Sequence, residues 1–349
     1  MAAQPHVYRT AVVGASGYSG QELLRYLARH PAFQLVVVTS RQQAGEPLGK
    51  YVSGLPKKLA ALTFTDAAPD VALAAQADLF FLAVPHGTAA PYAVALRQAG
   101  KTVIDLSADF RTTDPAIYKD FYDHDHPAPN LLGEAVYGLP EIHRAQLKSA
   151  KLIAAPGCFP TSIILPLVPF LRKKLIDPAG ISVTSLSGVS GAGRKLELRL
   201  LFGEVADNMY AYGVPKHRHL GEIEQELSLT AGEKVAISFV PHLVPIHRGM
   251  LTTTVAPLID KSMTDAIAHD VLQEAYGDEP FVELLPAGTL PQARDVAHSN
   301  RIQIAVRVDA RTKRLMLFSA IDNLGKGNAS QAIQAANLAC GLDETTGLD

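Results

Sequence analysis

Tryptophan is absent from the 349 residues and aromatic side chains make up only 7% of them, which leaves no ring-rich surface on which single-stranded nucleic acid would stack. Cysteine is nearly absent too. Cys158 and Cys340 are the only two, too few for a disulfide framework, so a reducing, cytoplasmic setting is expected. Neither sign of charge dominates, with 32 Lys and Arg against 34 Asp and Glu, and no charge run suggests a nucleic-acid partner. No early apolar run follows a basic start, because Tyr8-Arg9-Thr10 already enters a strand; neither a signal peptide nor a membrane span is expected. What the chain does have is a 48% hydrophobic content and a length that predicts two domains.

Thr10–Gly14 reads as a short apolar strand, followed by GASGYSG (14–20) and a helix over 21–30 with Leu23, Leu24 and Leu27 on one face. Strand, glycine turn and helix together suit a dinucleotide: Gly14, Gly17 and Gly20 let backbone N–H groups approach a pyrophosphate, flanked by Ser16, Tyr18 and Ser19. The spacing is GxxGxxG, weak by itself; its flanking elements carry the reading. The second strand, Gln34–Thr39, runs into Ser40 and Arg41 without the acid that would bond an NAD ribose. A hydroxyl and a guanidinium suit a 2′-phosphate, so NADP is the expected cofactor, an ordinary loop role for Arg41 being the alternative.

Further strands at 77–84 and 101–106, with a helix over 88–99 between them, predict a parallel sheet covered on both faces. Pro85 leaves the first and Ser107 and Arg111 leave the second, at the strand ends where such sheets bind ligands. The segment 114–133 reads as irregular surface loop. Its His124 and His126 lack ligand spacing, so no metal site is expected.

Lys151–Ala155 is a buried strand stopped by Pro156-Gly157, and Cys158 follows before an apolar helix from Ile163. A thiol at a helix start sits near unsatisfied N–H groups that favour the thiolate; a small buried hydrophobe is the plainer alternative. Beyond it, strands at 181–186, 234–241, 251–257, 301–308 and 314–321 alternate with helices at 163–174, 219–229 and 263–276, an α+β pattern with a mixed sheet. The glycine-rich stretch 187–193 reads as too flexible to pack and able to close over a cofactor, and 322–331 opens a last helix reaching Cys340, itself a core residue. The fold class is thus α/β, a Rossmann-type doubly wound parallel sheet plus an α+β catalytic domain.

Taken in order, GASGYSG, DLSADFR, AAPGCFPTS, SGVSGAGR, HRH before an acidic helix, PHLVPIHRG and DNLGKGNASQAIQ resemble the N-acetyl-gamma-glutamyl-phosphate reductases of arginine biosynthesis, over nearly the whole chain. A wider resemblance joins aspartate-semialdehyde dehydrogenase and phosphorylating glyceraldehyde-3-phosphate dehydrogenase. The resemblance implies an NADP-binding domain over 1–157, a catalytic and oligomerisation domain over 158–322, and a helix over 323–349 returning to the first. It implies reduction of N-acetyl-glutamyl 5-phosphate by NADPH through a Cys158 thioester, in a homo-oligomer with small-molecule partners. It adds Ser190, Gly191, Asn323, Gly325 and Lys326 to the cofactor site, and Arg111, Arg248 and Glu222 to the substrate site. Met250 stands where the wider group has its histidine. His217 is therefore the favoured acid–base group, with His219 second and His247 third. Aspartyl phosphate, an acylated aminoadipyl phosphate, or an NADP-binding sensor without catalysis are the competing readings.

Overall fold

A computed structural model describes residues 6–194 and 196–348; the ends of the expected first and last domains, 1–5 and 349, lie outside the described residues. The chain forms two compact units. The first comprises Met1–Lys119, His124–Pro156 and Asn328–Asp349, and the second Asp120–Asp123 with Gly157–Gly327.

The first unit holds β1 (Tyr8–Val13), β2 (Phe33–Thr39), β3 (Leu79–Leu82), β4 (Thr102–Asp105), β5 (Ala135–Tyr137) and β6 (Leu152–Ala154). They lie in the order β2-β1-β3-β4-β6-β5, and every pair is parallel. Unbroken apolar runs such as β3, buried throughout, are what a sheet covered on both faces requires. Ala11, Phe80, Leu82, Val103 and Leu152 pack with Ala90, Ala93 and Leu96 of the helix Ala89–Gln98. The order reverses at β1, so a crevice opens beyond its carboxyl end, at Gly14. The last helix, Ser330–Ala339, belongs to this unit and buries every residue but Ala339. Gln331 donates to the Gly138 carbonyl at 2.9 Å and the Tyr8 hydroxyl to that of Cys340 at 2.7 Å.

The second unit holds β7 (Ser182–Gly188), β8 (Tyr210–Ala211), β9 (Ser238–Val244), β10 (Met250–Pro257), β11 (Val282–Leu284), β12 (Ile302–Asp309) and β13 (Arg314–Ile321). Their order is β11-β12-β13-β10-β7-β9-β8, mixed because β7 with β9 and β11 with β12 run parallel. Burial alternates along β10, the mark of a sheet packed on one face.

Against that sheet lies the helix Cys158–Arg172, buried from Phe159 to Leu171. It contains Pro160, Pro166 and Pro169. Pro160 falls in the first turn, where a missing N–H is no loss. Pro166 and Pro169 remove the N–H groups that would bond the carbonyls of Ser162 and Leu165. Both carbonyls are met from outside: the Ser319 hydroxyl donates to Ser162 and the Tyr276 hydroxyl to Leu165, each at 2.7 Å. Ser162, Thr252 and Ser185 join their hydroxyls beside them, at 2.9 and 2.8 Å.

Several boundaries differ from the sequence reading. The first helix is Tyr18–Leu27 rather than 21–30, placing Gly20 inside it, where a Cβ would lie 2.7 Å from the Ala15 Cα. The apolar helix expected from Ile163 starts at Cys158 itself. The supposed loop 114–133 contains the helix Pro115–Tyr122, and His126 is buried against the Asp109 carbonyl. The stretch 187–193 is a packed element: β7 continues to Gly188 and a tight turn covers Val189–Ala192. The N–H groups of Gly188, Val189 and Ser190 bond the carbonyls of Gly249, Ile246 and His247, and a Cβ at Gly188 would strike the latter two at 2.9 Å. Gly188 thus serves close approach, whereas Gly193 serves its positive φ of +77° with nothing within 4 Å of a Cβ. A π-helical turn, Gly325–Ala329, precedes the last helix. Among the described residues no helix is long and apolar enough to cross a membrane.

Because the two orphaned carbonyls lie in the core, Ser319→Ala and Tyr276→Phe should each lower the unfolding free energy by about 1–3 kcal/mol, the cost of a buried unsatisfied group. Urea unfolding reads this, and unchanged midpoints would mean the helix meets those carbonyls otherwise.

Candidate active site

In the first unit, Gly14 has φ +82°, and a Cβ there would lie 2.5 Å from the Ala83 carbonyl oxygen. Only glycine fits that crossing. Gly17 caps the helix Tyr18–Leu27, and a Cβ on it would meet nothing within 4 Å. The first-turn N–H groups beyond it form a ready anion cradle. Ser16 and Ser40 share a hydroxyl contact at 3.0 Å, and Ser40 also bonds Gln43. Gly14, Thr39, Ser40, Arg41, Val84, Thr88 and Tyr92 line one groove.

Asp66 lines that groove as well. The acid missing from the end of β2 arrives instead from a neighbouring segment, through the parallel bridge of Thr39 with Thr65. Burial holds the Tyr92 phenol above its usual range, with Arg41 pulling it down and Asp66 pushing it up.

Ser107 and Arg111 sit deeper than expected. Ser107 bonds Asp105 through its N–H and hydroxyl, both at 2.8 Å. The buried Arg111 guanidinium donates to the carbonyls of Ala155 at 2.8 Å and Leu106 at 3.1 Å, pinning the ends of β6 and β4. Pro85 is exposed.

In the second unit, partly exposed Cys158 is the first residue of its helix. The Gly157 N–H ahead of it donates to the buried Glu222 carboxylate at 3.2 Å. The π-helical turn brings Gly327 against Cys158: a Cβ there would lie 2.7 Å from the Cys158 Cβ. Phe159 packs edge-on against the rings of His217, His219 and Phe239.

The two histidines differ in environment. His217 is enclosed by Phe159, Tyr212, His219 and Phe239, and burial, then the Arg218 charge, pull its pKa down to about 4. Its Nδ1 accepts the His219 N–H at 3.1 Å, so the neutral ring carries its proton on Nε2. His219 Nε2 lies 4.0 Å from Glu222 Oε1. His247 is exposed.

The remaining expected residues cluster in this unit. Asn323 donates to the Ser190 hydroxyl at 2.9 Å and accepts the Gly249 N–H at 2.7 Å; a Cβ at Gly191 would meet Ser187 Oγ at 3.0 Å. Arg248 pairs with the buried Asp322 at 2.8 Å and touches His298 at 2.8 Å. Asp322 also takes the N–H groups of His298, Leu324 and Gly325. Lys326 is wholly buried, its ammonium 5.5 Å from the Phe281 ring centre, rather than set at an open edge.

Tyr212, Gly327 and Asp66 were missed in the sequence. Burial, then the charge of Cys158, raise the Tyr212 phenol above its usual range. No spacing rule links these residues to the motifs, although Gly327 stands inside GKGNAS.

This arrangement is the semialdehyde dehydrogenase class. Residues 9–150 match the family model "Semialdehyde dehydrogenase, NAD binding domain" and 158–323 match "Semialdehyde dehydrogenase, dimerisation domain". The N-acetyl-gamma-glutamyl-phosphate reductase of Akkermansia muciniphila is 47% identical over 97% of this chain and 98% of its own; that of Geobacter metallireducens is 48% identical over 97% of each. The chain belongs to the N-acetyl-gamma-glutamyl-phosphate reductase family. Among solved structures, aspartate semialdehyde dehydrogenase with NADP from Candida albicans shares the fold at TM-score 0.72 and 16% identity, covering 96% of this chain and 99% of that one. The Vibrio cholerae aspartate semialdehyde dehydrogenase II complexed with ASA gives 0.70 at 18%, covering 95% and 98%.

The buried neutral His217 has a consequence for stability. Its folded pKa of about 4 lies below the ordinary 6.5, so its contribution is full above pH 6.5 and is lost as pH falls toward 4. His217→Asn should flatten that part of the stability–pH curve. Burial lowers His30 and His126 too, so some acid sensitivity should remain. Urea titrations between pH 7 and pH 4 check this, and a variant curve parallel to the original would contradict it.

Proposed function

We propose that the protein reduces N-acetyl-L-glutamyl 5-phosphate with NADPH to N-acetyl-L-glutamate 5-semialdehyde and phosphate, with Cys158 as covalent nucleophile. The carrying observation is a partly exposed thiol at the first position of a buried helix, in a chain of this family. The cradle before Tyr18 and the groove at Ser40 and Arg41 suit a phosphorylated dinucleotide: the glycine turn would take the pyrophosphate, and Ser40 and Arg41 the 2′-phosphate. When bound, NADPH supplies the hydride.

The thiolate attacks the acyl carbon; the bond to the phosphate oxygen breaks, phosphate leaves, and a thioester remains on Cys158. After reduction, collapse of the hemithioacetal expels the Cys158 thiolate and frees the aldehyde. N–H groups of the helix's first turn favour the thiolate and the developing oxyanion. The expectation for the acid–base group favoured His217. The geometry supports a division instead. His217 Nε2–H donates toward developing oxygen charge, and His219, 4.0 Å from Glu222, takes the thiol proton. Glu222, Arg248 and Arg111 serve as positioning groups, each bonded into the framework of its own unit. We further infer a homo-oligomer, in keeping with the dimerisation model matched at 158–323, and a cytoplasmic setting, in keeping with two free cysteines.

The direct test follows NADPH formation from NADP, phosphate and either N-acetyl-glutamate semialdehyde or its one-methylene-longer homologue. The shorter aldehyde should be preferred about 10-fold or more, the worth of one methylene in a pocket, and Cys158→Ala should abolish turnover while still binding NADPH. Preference for the longer aldehyde would reassign the substrate, and steady turnover by the alanine variant would end the covalent mechanism.

His219→Asn should slow acylation by about 100- to 10,000-fold and move the alkaline rise of Cys158 alkylation to higher pH. His217→Asn should lower turnover without moving that thiol titration. If only His217→Asn shifts it, the two roles are reversed.

A further inference from the structure

Beyond the β4 end, the carboxylate of Asp109 is wholly buried and meets four donors, none of them a cation. Oδ1 accepts the Gly87 N–H at 2.6 Å and the Tyr118 hydroxyl at 3.3 Å. Oδ2 accepts the N–H groups of Ala89 and Ala90, both at 3.1 Å. These are the first N–H groups of the helix Ala89–Gln98, which its own N-cap residue, Thr88, does not cap with a side chain. The cap comes instead from twenty residues away in sequence. Asp109 is in turn held: its N–H donates to the Ser107 hydroxyl at 3.1 Å, and its carbonyl meets His126 Nε2. The adjacent Ala108 N–H donates to His86 Nδ1 at 3.0 Å.

All of this converges on the loop Val84–Thr88. Gly87 adopts φ +76°, and a Cβ there would come within 3.2 Å of His124 Nε2, so the loop has little room to shift. Val84 and Thr88 form one wall of the groove whose other side is Gly14, Ser40 and Arg41. Val84 Cγ1 lies 2.9 Å from where a Gly14 Cβ would stand. The loop and the glycine turn therefore stand side by side along one groove.

We propose that Asp109 is a positioning residue for the nucleotide, a clasp that fixes the Val84–Thr88 loop and the start of its helix in the shape the dinucleotide needs. It touches no reacting atom and acts through Gly87, Ala89 and Ala90. The proposal rests on the nucleotide reading of this groove.

The experiment compares the full-length protein with Asp109→Asn, an isostere that turns an amide N–H toward one set of donors. NADPH affinity is read by fluorescence titration, KM and kcat by initial rates, and the thermal midpoint separately. The Asn variant should bind NADPH about 10-fold more weakly and raise its KM in parallel, the scale of a lost hydrogen bond to a charged group, with kcat nearly unchanged. A lower midpoint with unaltered NADPH affinity, measured well below that midpoint, would make Asp109 a fold-stabilising residue only and overturn the proposal. If Asp109→Asn does not fold, Tyr118→Phe removes one of the four donors and should weaken NADPH about two- to three-fold; unaltered binding there overturns it equally. Absence of NADPH binding by the unaltered protein would overturn the nucleotide reading and this proposal with it.

Discussion

A helix that is buried almost throughout must settle every backbone group without water, and the Cys158 helix carries two prolines that make this harder. The hydroxyls of Ser319 and Tyr276 close the account from β13 and from the helix Asp265–Tyr276. Those bonds fix where the helix lies on the sheet, and hence where its first residue stands. Cys158 stands 4 and 7 residues before the two carbonyls that those hydroxyls meet; its place is set by a polar match deep in an apolar layer.

Buried carboxylates repeat one task across the molecule. Glu222 holds the Gly157 N–H, Asp322 holds those of Leu324 and Gly325 at the π-helical turn and that of His298, and Asp109 holds those of Gly87, Ala89 and Ala90 at the approach to another helix. Each takes backbone donors from a turn beside the candidate chemistry, and a charged acceptor makes such bonds about twice as strong as neutral ones. The Asp105 carboxyl, by contrast, is pushed up to about 7 by burial and by the neighbouring Asp109 charge. Close packing of two buried carboxylates leaves the second with that penalty.

Much of this was legible in the sequence, for identifiable reasons. Unbroken apolar runs announced the parallel sheet, alternation announced the mixed one, and β13 was bounded at Arg314 and Ile321 by its pattern alone. The glycine turn and the Cys158 corner were readable because their local geometry needs particular residue types. What escaped depended on distant partners. The 187–193 stretch looked mobile because glycine signals freedom and close approach alike, and for residues 188–190 the carbonyls of Ile246, His247 and Gly249 decide for close approach. For Arg111 and Arg248 the guanidinium fork, which suits phosphate, carboxylate and carbonyl alike, was legible, but their partners Ala155 and Asp322, distant in sequence, were not. His217 and His219 were indistinguishable until their rings acquired neighbours.

The chain enters and leaves each unit more than once, at Lys119, at Asp123, at Pro156 and at Gly327. Synthesis runs in one direction, so this threading sets an order of completion. The second unit has all of its residues when Gly327 has been made, whereas the first, begun earlier, still lacks Asn328–Asp349. Until then β4 and the helices Tyr18–Leu27 and Pro140–Leu147 wait without the helix that packs on them. Within its own unit the helix Ser330–Ala339 is therefore made after every other element, and the apolar surface it covers stays bare until that helix has emerged.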